Sequence, residues 1–188
     1  MQKRHKLFGS YPYISSSRLL IRKMEPGDAR ALEKLTGEEE VYRFLPSFLY
    51  EKKYADKGEV IIRSGKECFD TKDSILLSVV LKDEKKAVIG IAEIYNYEPE
   101  KEKASIGYRF LKEYWGKGYA TETVEALKEY LFGKTDVRKI TAHVMAENAA
   151  SGSVLIKNGF EAKWKDLLED WGFETPVRVD KYILKKRQ

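Results

Sequence analysis

The sequence predicts a mixed α/β fold: a central sheet of about seven strands, opened by an antiparallel meander, with helices on both faces. Three observations predict it. Apolar stretches at residues 74–81, 87–97 and 104–110 are joined by short polar turns, the pattern of hairpin-linked strands. From residue 120 to residue 184 helical and extended patterns alternate, which implies a partly parallel sheet with helices packed on it. No repeat, low-complexity stretch or linker interrupts the chain, so residues 1–188 read as a single domain.

In chain order, residues 18–23 (RLLIRK) read as a first strand. Pro26-Gly27-Asp28 opens a short helix with apolar Ala31, Leu32 and Leu35, stopped at Gly37. Residues 38–45 continue as a second helical piece closed by Pro46, and a weakly periodic helix is expected over residues 51–68. The β-branched run SILLSVVL begins the meander at Ser74. Ala120, Val124, Leu127 and Leu131 mark one face of a helix that Gly133 should end. Residues 138–144 read as a strand, 149–158 as a helix, 160–164 as a strand, 165–176 as a loop and 177–184 as the last strand.

Composition excludes several function classes. With 35 basic and 30 acidic residues the formal charge is +5, and no dense basic stripe marks a nucleic-acid binder. No apolar run is long enough to span a bilayer, and no apolar h-region follows the basic N-terminus. The single cysteine, Cys68, forms neither an internal disulfide nor a zinc cluster. No His, Asp and Glu spacing suits a metal. A cytoplasmic protein without metal, acting as a monomer or homodimer, is expected.

The segment most informative about function runs from Phe110 to Glu122. It joins a buried strand to an amphipathic helix, and Gly116 and Gly118 let the backbone turn tightly beside a ligand. Unpaired N–H groups and partial positive charge at the helix start suit a phosphate or pyrophosphate. The spacing is neither that of a Walker loop nor that of the dinucleotide fingerprint.

Trp115-Gly116-Lys117-Gly118-Tyr119-Ala120-Thr121-Glu122 resembles the acetyl-CoA loop of the GNAT N-acetyltransferase family. Ala104-Ser105-Ile106-Gly107-Tyr108, Asn148-Ala149-Ala150-Ser151 with Lys157-Asn158-Gly159-Phe160, and Asp180-Lys181-Tyr182-Ile183-Leu184 are similar to further family segments in the expected order, over residues 18–184. The nearest likeness is to the RimJ/RimL branch of ribosomal-protein N-terminal acetyltransferases. Two positions depart from the family pattern: Glu113 replaces Gln or Arg, and Leu155 replaces a Tyr that serves as the acid.

The resemblance implies a GNAT fold and direct transfer of acetyl from acetyl-CoA to a primary amine, among such acceptors a protein N-terminal α-amine. A small-molecule amine such as a polyamine, amino acid or antibiotic remains an alternative, as does a non-catalytic CoA-binding module. It also implies that a main-chain N–H near Phe110 or Leu111 polarises the thioester carbonyl and that pantetheine pairs with the adjacent strand edge. Asn148 has two readings, N-cap and partner of the pantetheine arm or of the bound acceptor. Ser151 is either a small polar residue near a helix start or the donor to the leaving thiolate. Glu93, sharing a strand face with Ile91 and Tyr95, is the candidate base. His143 and Cys68 read as structural. The loop at 165–175 carries four acids and one base, and with Trp171 and Phe173 it is expected to favour a cationic acceptor.

Overall fold

A computed structural model of the chain describes residues 7–49, 57–83 and 86–187. The strands are β1 (Ile14–Ser15), β2 (Leu19–Lys23), β3 (Ser74–Leu81), β4 (Val88–Glu98), β5 (Lys103–Phe110), β6 (Lys139–Met145), β7 (Glu161–Glu169) and β8 (Val177–Lys185). The helices of four or more residues are α1 (Ala29–Gly37), α2 (Glu39–Tyr42), α3 (Gly58–Asp70), α4 (Tyr119–Lys134) and α5 (Ala149–Lys157). All eight strands lie in one mixed sheet of order β1-β2-β3-β4-β5-β6-β8-β7.

Side-chain alternation along the meander places helices on both faces. Ala92 and Ile94 of β4 join Ala104 and Ile106 of β5 in a core with Val124, Leu127 and Leu131 of α4 and Leu155 of α5. Ile91, on the opposite face of β4, packs with Leu32 and Leu35 of α1 and with Val41 and Tyr42 of α2. Strand residues i and i+2 share a face, so α4 and α5 cover one side and α1 and α2 the other.

Among the described residues the expected sheet of about seven strands gains an eighth, because β1 pairs through Ile14 and Ser15 with Ile21 and Leu20, a ladder too short to leave a periodic signal. Three expectations are corrected. The loop expected at residues 165–176 shrinks to 170–176. Its first part continues β7, whose register against β8 shifts twice and whose side chains are mostly exposed, so no apolar alternation betrays it. Gly133 does not end α4, which runs on to Lys134; Thr135 then donates its hydroxyl hydrogen to the carbonyl of Leu131. The helix expected over 51–68 is seen as Gly58–Asp70, and the start of that expectation lies outside the described residues.

The sheet's one departure from antiparallel pairing is between β5 and β6. They run parallel and pair only at Lys103, Ala104 and Ser105 with Lys139, Ile140 and Thr141. Beyond these residues the two strands part, and residues 106–110 have no β6 partner. No helix among the described residues is long and apolar enough to cross a membrane.

Candidate active site

At the end of β5 the chain turns through a 3-10 segment, Lys112–Tyr114, into α4. Gly116 and Gly118 have φ of +72° and +79°, the left-handed region that only glycine enters freely. Gly118 is the N-cap of a 16-residue helix whose bond from Glu122 N–H to Gly118 carbonyl measures 3.1 Å. The N–H groups of Tyr119, Ala120 and Thr121 precede that bond and are therefore free for an anion. Trp115 locks the approach: its indole N–H donates to the carbonyl of Phe110 at 2.7 Å, while the ring stays about half exposed. Lys117 lies with its ammonium 5.3 Å from the Tyr114 ring.

Glu122, in the first turn of α4, would repel an anion there, and Arg18 neutralises it. The Arg18 backbone N–H and guanidinium reach its carboxylate at 2.7 and 2.6 Å, and Ser16 donates at 2.8 Å. Burial pushes this carboxyl up, but those hydrogen bonds outweigh burial and hold it below the ordinary glutamate range. Arg18 also donates to the Lys117 carbonyl at 3.0 Å and lies over the Tyr119 ring. Glu113 pairs with Lys34 of α1. A groove of about 870 Å³ adjoins the helix start, lined by Arg18, Gly118, Thr121 and Lys157 among others. None of Glu93, Tyr108, Phe110 and Ser151 lines it.

The parting of β5 from β6 exposes a strand edge. Leu111 N–H donates to the Ile89 carbonyl at 3.0 Å, which removes Leu111 as a polarising donor. In an antiparallel pair, residues that exchange hydrogen bonds alternate with residues that do not. Phe110, opposite Gly90, therefore turns its N–H away from β4 and into the gap.

Across the gap stands α5. Asn148 is its N-cap, accepting from Ser151 N–H at 3.1 Å. Its side-chain oxygen is thus committed, and only its amide nitrogen is left for a ligand. The Ser151 hydroxyl lies 2.8 Å from the Tyr108 hydroxyl of β5. A Cβ at Gly152 would sit 2.6 Å from the Tyr182 hydroxyl, so three hydroxyl-bearing side chains crowd this helix start. Burial pushes the Tyr108 phenol up to about 12, against the lowering effect of Ser151. Leu155 is fully buried in the core, and no acid stands at that position.

The opposite face of the sheet carries a second polar group. Glu93 lies opposite Gly107, and its carboxylate rests over that glycine, within 3.9 Å of where a Cβ would stand. Arg109, opposite Ile91, brings its Nη1 to 3.5 Å from the Glu93 carboxylate. On β6, His143 Nδ1 is 3.2 Å from Glu169, which also accepts from the Trp171 indole at 2.9 Å. Burial pushes the Glu169 carboxyl up, but Trp171 and His143 outweigh it and hold it low. Tyr95, close to Glu93 and Glu169, is raised by burial and by those two carboxylates. The expectation that Trp171 offers an open aromatic face is corrected: it is 8% exposed and packs with Met145 and Val179.

Sequence reasoning missed Tyr108, Arg109 and Arg18 as members of the site. Tyr108 and Arg109 lie in a strand whose residues were read for their apolarity, and Arg18 meets Glu122 across 104 residues. The only local signal was parity: Tyr108 shares a strand face with Ile106 and Phe110, and Arg109 shares one with Gly107.

A family model described as an acetyltransferase (GNAT) domain matches residues 18–161. The chain is 31% identical over 147 residues to the uncharacterised N-acetyltransferase YnaD of Bacillus subtilis, covering 78% of this chain and 81% of that one. It is 25% identical to YoaA of the same organism over 181 residues, 95% of this chain and 99% of that one. A spermidine N(1)-acetyltransferase of Vibrio cholerae is 26% identical over 77% of this chain and 80% of its own. Among solved structures, an acetyltransferase from Bacillus anthracis superposes with a TM-score of 0.79 at 22% identity, covering 93% of this chain and 98% of that one. The ribosomal-protein alpha-N-acetyltransferase RimL, solved with coenzyme A, gives 0.78 at 17% identity over 93% and 98%.

Proposed function

The chain belongs to the GNAT acetyltransferase family and is an acyltransferase, and from that premise we propose that it moves acetyl from acetyl-CoA directly to a primary amine by way of the gap between β5 and β6. The observation that carries this reading is the alignment of three features: a glycine-shaped helix start, an unpaired strand edge beside it, and the Ser151 hydroxyl facing that edge. They suit, in order, the pyrophosphate, the pantetheine arm and the thioester sulfur.

Bound acetyl-CoA supplies the thioester. The N–H groups of Tyr119, Ala120 and Thr121 hold its pyrophosphate, with Trp115, Gly116, Lys117 and Gly118 shaping the turn. The Asn148 amide nitrogen holds the pantetheine arm along β5. Phe110 N–H stabilises the charge that develops on the carbonyl oxygen as the amine nitrogen bonds to the acyl carbon. Glu93, on the acceptor face, takes the proton that the amine sheds, directly or through water. Holding both reactants in line supplies most of the rate, since proximity alone is worth roughly 7–11 kcal/mol.

Ser151 attends the sulfur as the carbon–sulfur bond breaks, and Tyr108 positions Ser151. A thiol titrates near 8.5, some three to four pH units below the Tyr108 phenol at about 12. Full proton transfer from Tyr108 to the thiolate is therefore uphill. Tyr108 instead stays protonated and donates to the Ser151 oxygen, which turns the serine hydrogen toward the sulfur. The experiment is thiol release from acetyl-CoA in the presence of a panel of primary amines, with mass spectrometry of the acceptors. Acceptor-dependent release and a matching acetylated amine are expected; coenzyme A binding without transfer to any amine would leave a non-catalytic binding module.

A further inference from the structure

Arg109 is a poorly compensated charge on the acceptor face. Its side chain is 9% exposed. Its Nε is buried and has no hydrogen-bond partner among the described residues. The contact with Glu93 is long, at 3.5 Å, and the guanidinium otherwise lies 5.9 Å from the Tyr42 ring. A guanidinium offers five donors in a fork, and buried ones are ordinarily met by two parallel hydrogen bonds. A buried cation with one long contact is costly to the fold, and such a cost points to a partner that arrives later.

Placement says what that partner is. Arg109 directly precedes Phe110, whose N–H faces the gap, and it lies on the same sheet face as Glu93. An amine reaching the thioester beside Phe110 thus has a carboxylate and a guanidinium side by side. That pair complements an ammonium or amine whose amine-bearing carbon carries a group with an electron-rich oxygen. That pair of opposite charges does not complement a polycation, and three of the four acids in residues 165–175 already have partners. Glu169 is taken by His143 and Trp171, Asp170 accepts from Gly172 N–H at 2.8 Å, and Asp166 lies 3.4 Å from Arg178.

We propose that Arg109 is a specificity-determining residue whose guanidinium binds the oxygen of a carbonyl attached to the acceptor's amine-bearing carbon, so that the acceptor is an α-amine beside a carbonyl, as in a peptide or amino acid, and not a bare polyamine. The inference rests on the acetyl-transfer reading above and names the substrate class of that site.

The test compares three acceptors with the full chain: a pooled library of tripeptide amides with free N-termini, the same library with the first carbonyl replaced by an E-alkene, and spermidine. Rates are expressed per neutral amine, because a peptide α-amine titrates near 7.7–8.0 and an alkyl amine near 10.4. The wild type is expected to favour the carbonyl-bearing library over its alkene counterpart and over spermidine by roughly ten- to hundredfold in kcat/KM, the range for one charge-assisted hydrogen bond. Arg109→Met should erase that preference by lowering the peptide rate alone, and Arg109→Lys should restore part of it, with acetyl-CoA affinity unchanged by calorimetry. Equal wild-type rates on the two libraries, a preference for spermidine, or an equal loss on both libraries in Arg109→Met would overturn the proposal while leaving acetyl transfer intact. If Arg109→Met does not fold, the wild-type comparison decides alone. Absence of thiol release with every acceptor would sink the acetyl-transfer reading and this one with it.

Discussion

The contact between Tyr108 and Ser151 separates two readings of the serine that an experiment can tell apart. Near a helix start a serine is ordinary, and its backbone N–H is indeed capped by Asn148. Its hydroxyl is a separate matter, because the buried Tyr108 phenol lies 2.8 Å from it. If Tyr108 acts only by orienting Ser151, the two substitutions should not add. Tyr108→Phe and Ser151→Ala are each expected to lower kcat by about 1–2 kcal/mol, with KM for acetyl-CoA nearly constant. The double variant should be no worse than Ser151→Ala alone, a coupling of the same size. Additive losses in a double-mutant cycle would make Tyr108 a packing residue. The phenol's rise to about 12 gives a second readout: it stays protonated up to that value, so Tyr108 should impose no fall in kcat between pH 8 and 10.

At the scale of elements, the glycine loop and α4 were legible in the sequence because their physics is local. Two glycines, a strand before them and a periodic helix after them lie within about twenty residues, and the structure gives both glycines positive φ. The eighth strand and the end of β7 were not legible, because main-chain pairing holds them and leaves no side-chain pattern. The hydroxyl pair and the Glu93–Arg109 pair depend on register and helix packing, which juxtapose residues 43 and 16 apart. The loop's role in anion binding is testable by separating strain from charge. Gly118→Ala places a Cβ 3.4 Å from the Arg18 guanidinium at φ +79°, a strain of about 1–2 kcal/mol. Gly118→Asp adds the same strain and a negative charge. Acetyl-CoA affinity is expected to fall roughly tenfold further in Gly118→Asp than in Gly118→Ala at low salt, with the gap closing as salt rises. Equal affinities for the two variants would move the phosphates away from this helix.

At the scale of the whole molecule, Asp28 joins the start of α1 to the sheet. It sits in the turn before α1 and is 3% exposed. Both terminal nitrogens of Arg22 in β2 donate to it at 2.9 Å, Ser78 of β3 at 2.7 Å, and Glu25 N–H at 2.9 Å. Burial pushes its carboxyl up, but the Arg22 pair, the Glu25 N–H and Ser78 outweigh burial and hold it below the ordinary aspartate value. A carboxylate depressed in the folded state contributes stability that is present above its unfolded value, about 3.9, and is lost as pH falls through the lower folded value. Asp28→Asn removes the charge and leaves Arg22 buried against an uncharged amide. That variant is expected to lose about 3–5 kcal/mol at pH 7, and the gap from wild type should narrow below about pH 4, where the wild type surrenders its own ion pair. Urea denaturation at pH 7, 5 and 3 measures both curves. The consequence reaches the acceptor face, because α1 packs beside α2, and Tyr42 of α2 lies against Arg109. Acid that releases Asp28 should therefore loosen this side of the sheet, while the α4 helix start is pinned separately through Arg18 and Glu122. A gap that narrows below about pH 4 would bear this out, whereas a gap that stays constant from pH 7 to pH 3 would remove Asp28 as the acid-labile tie.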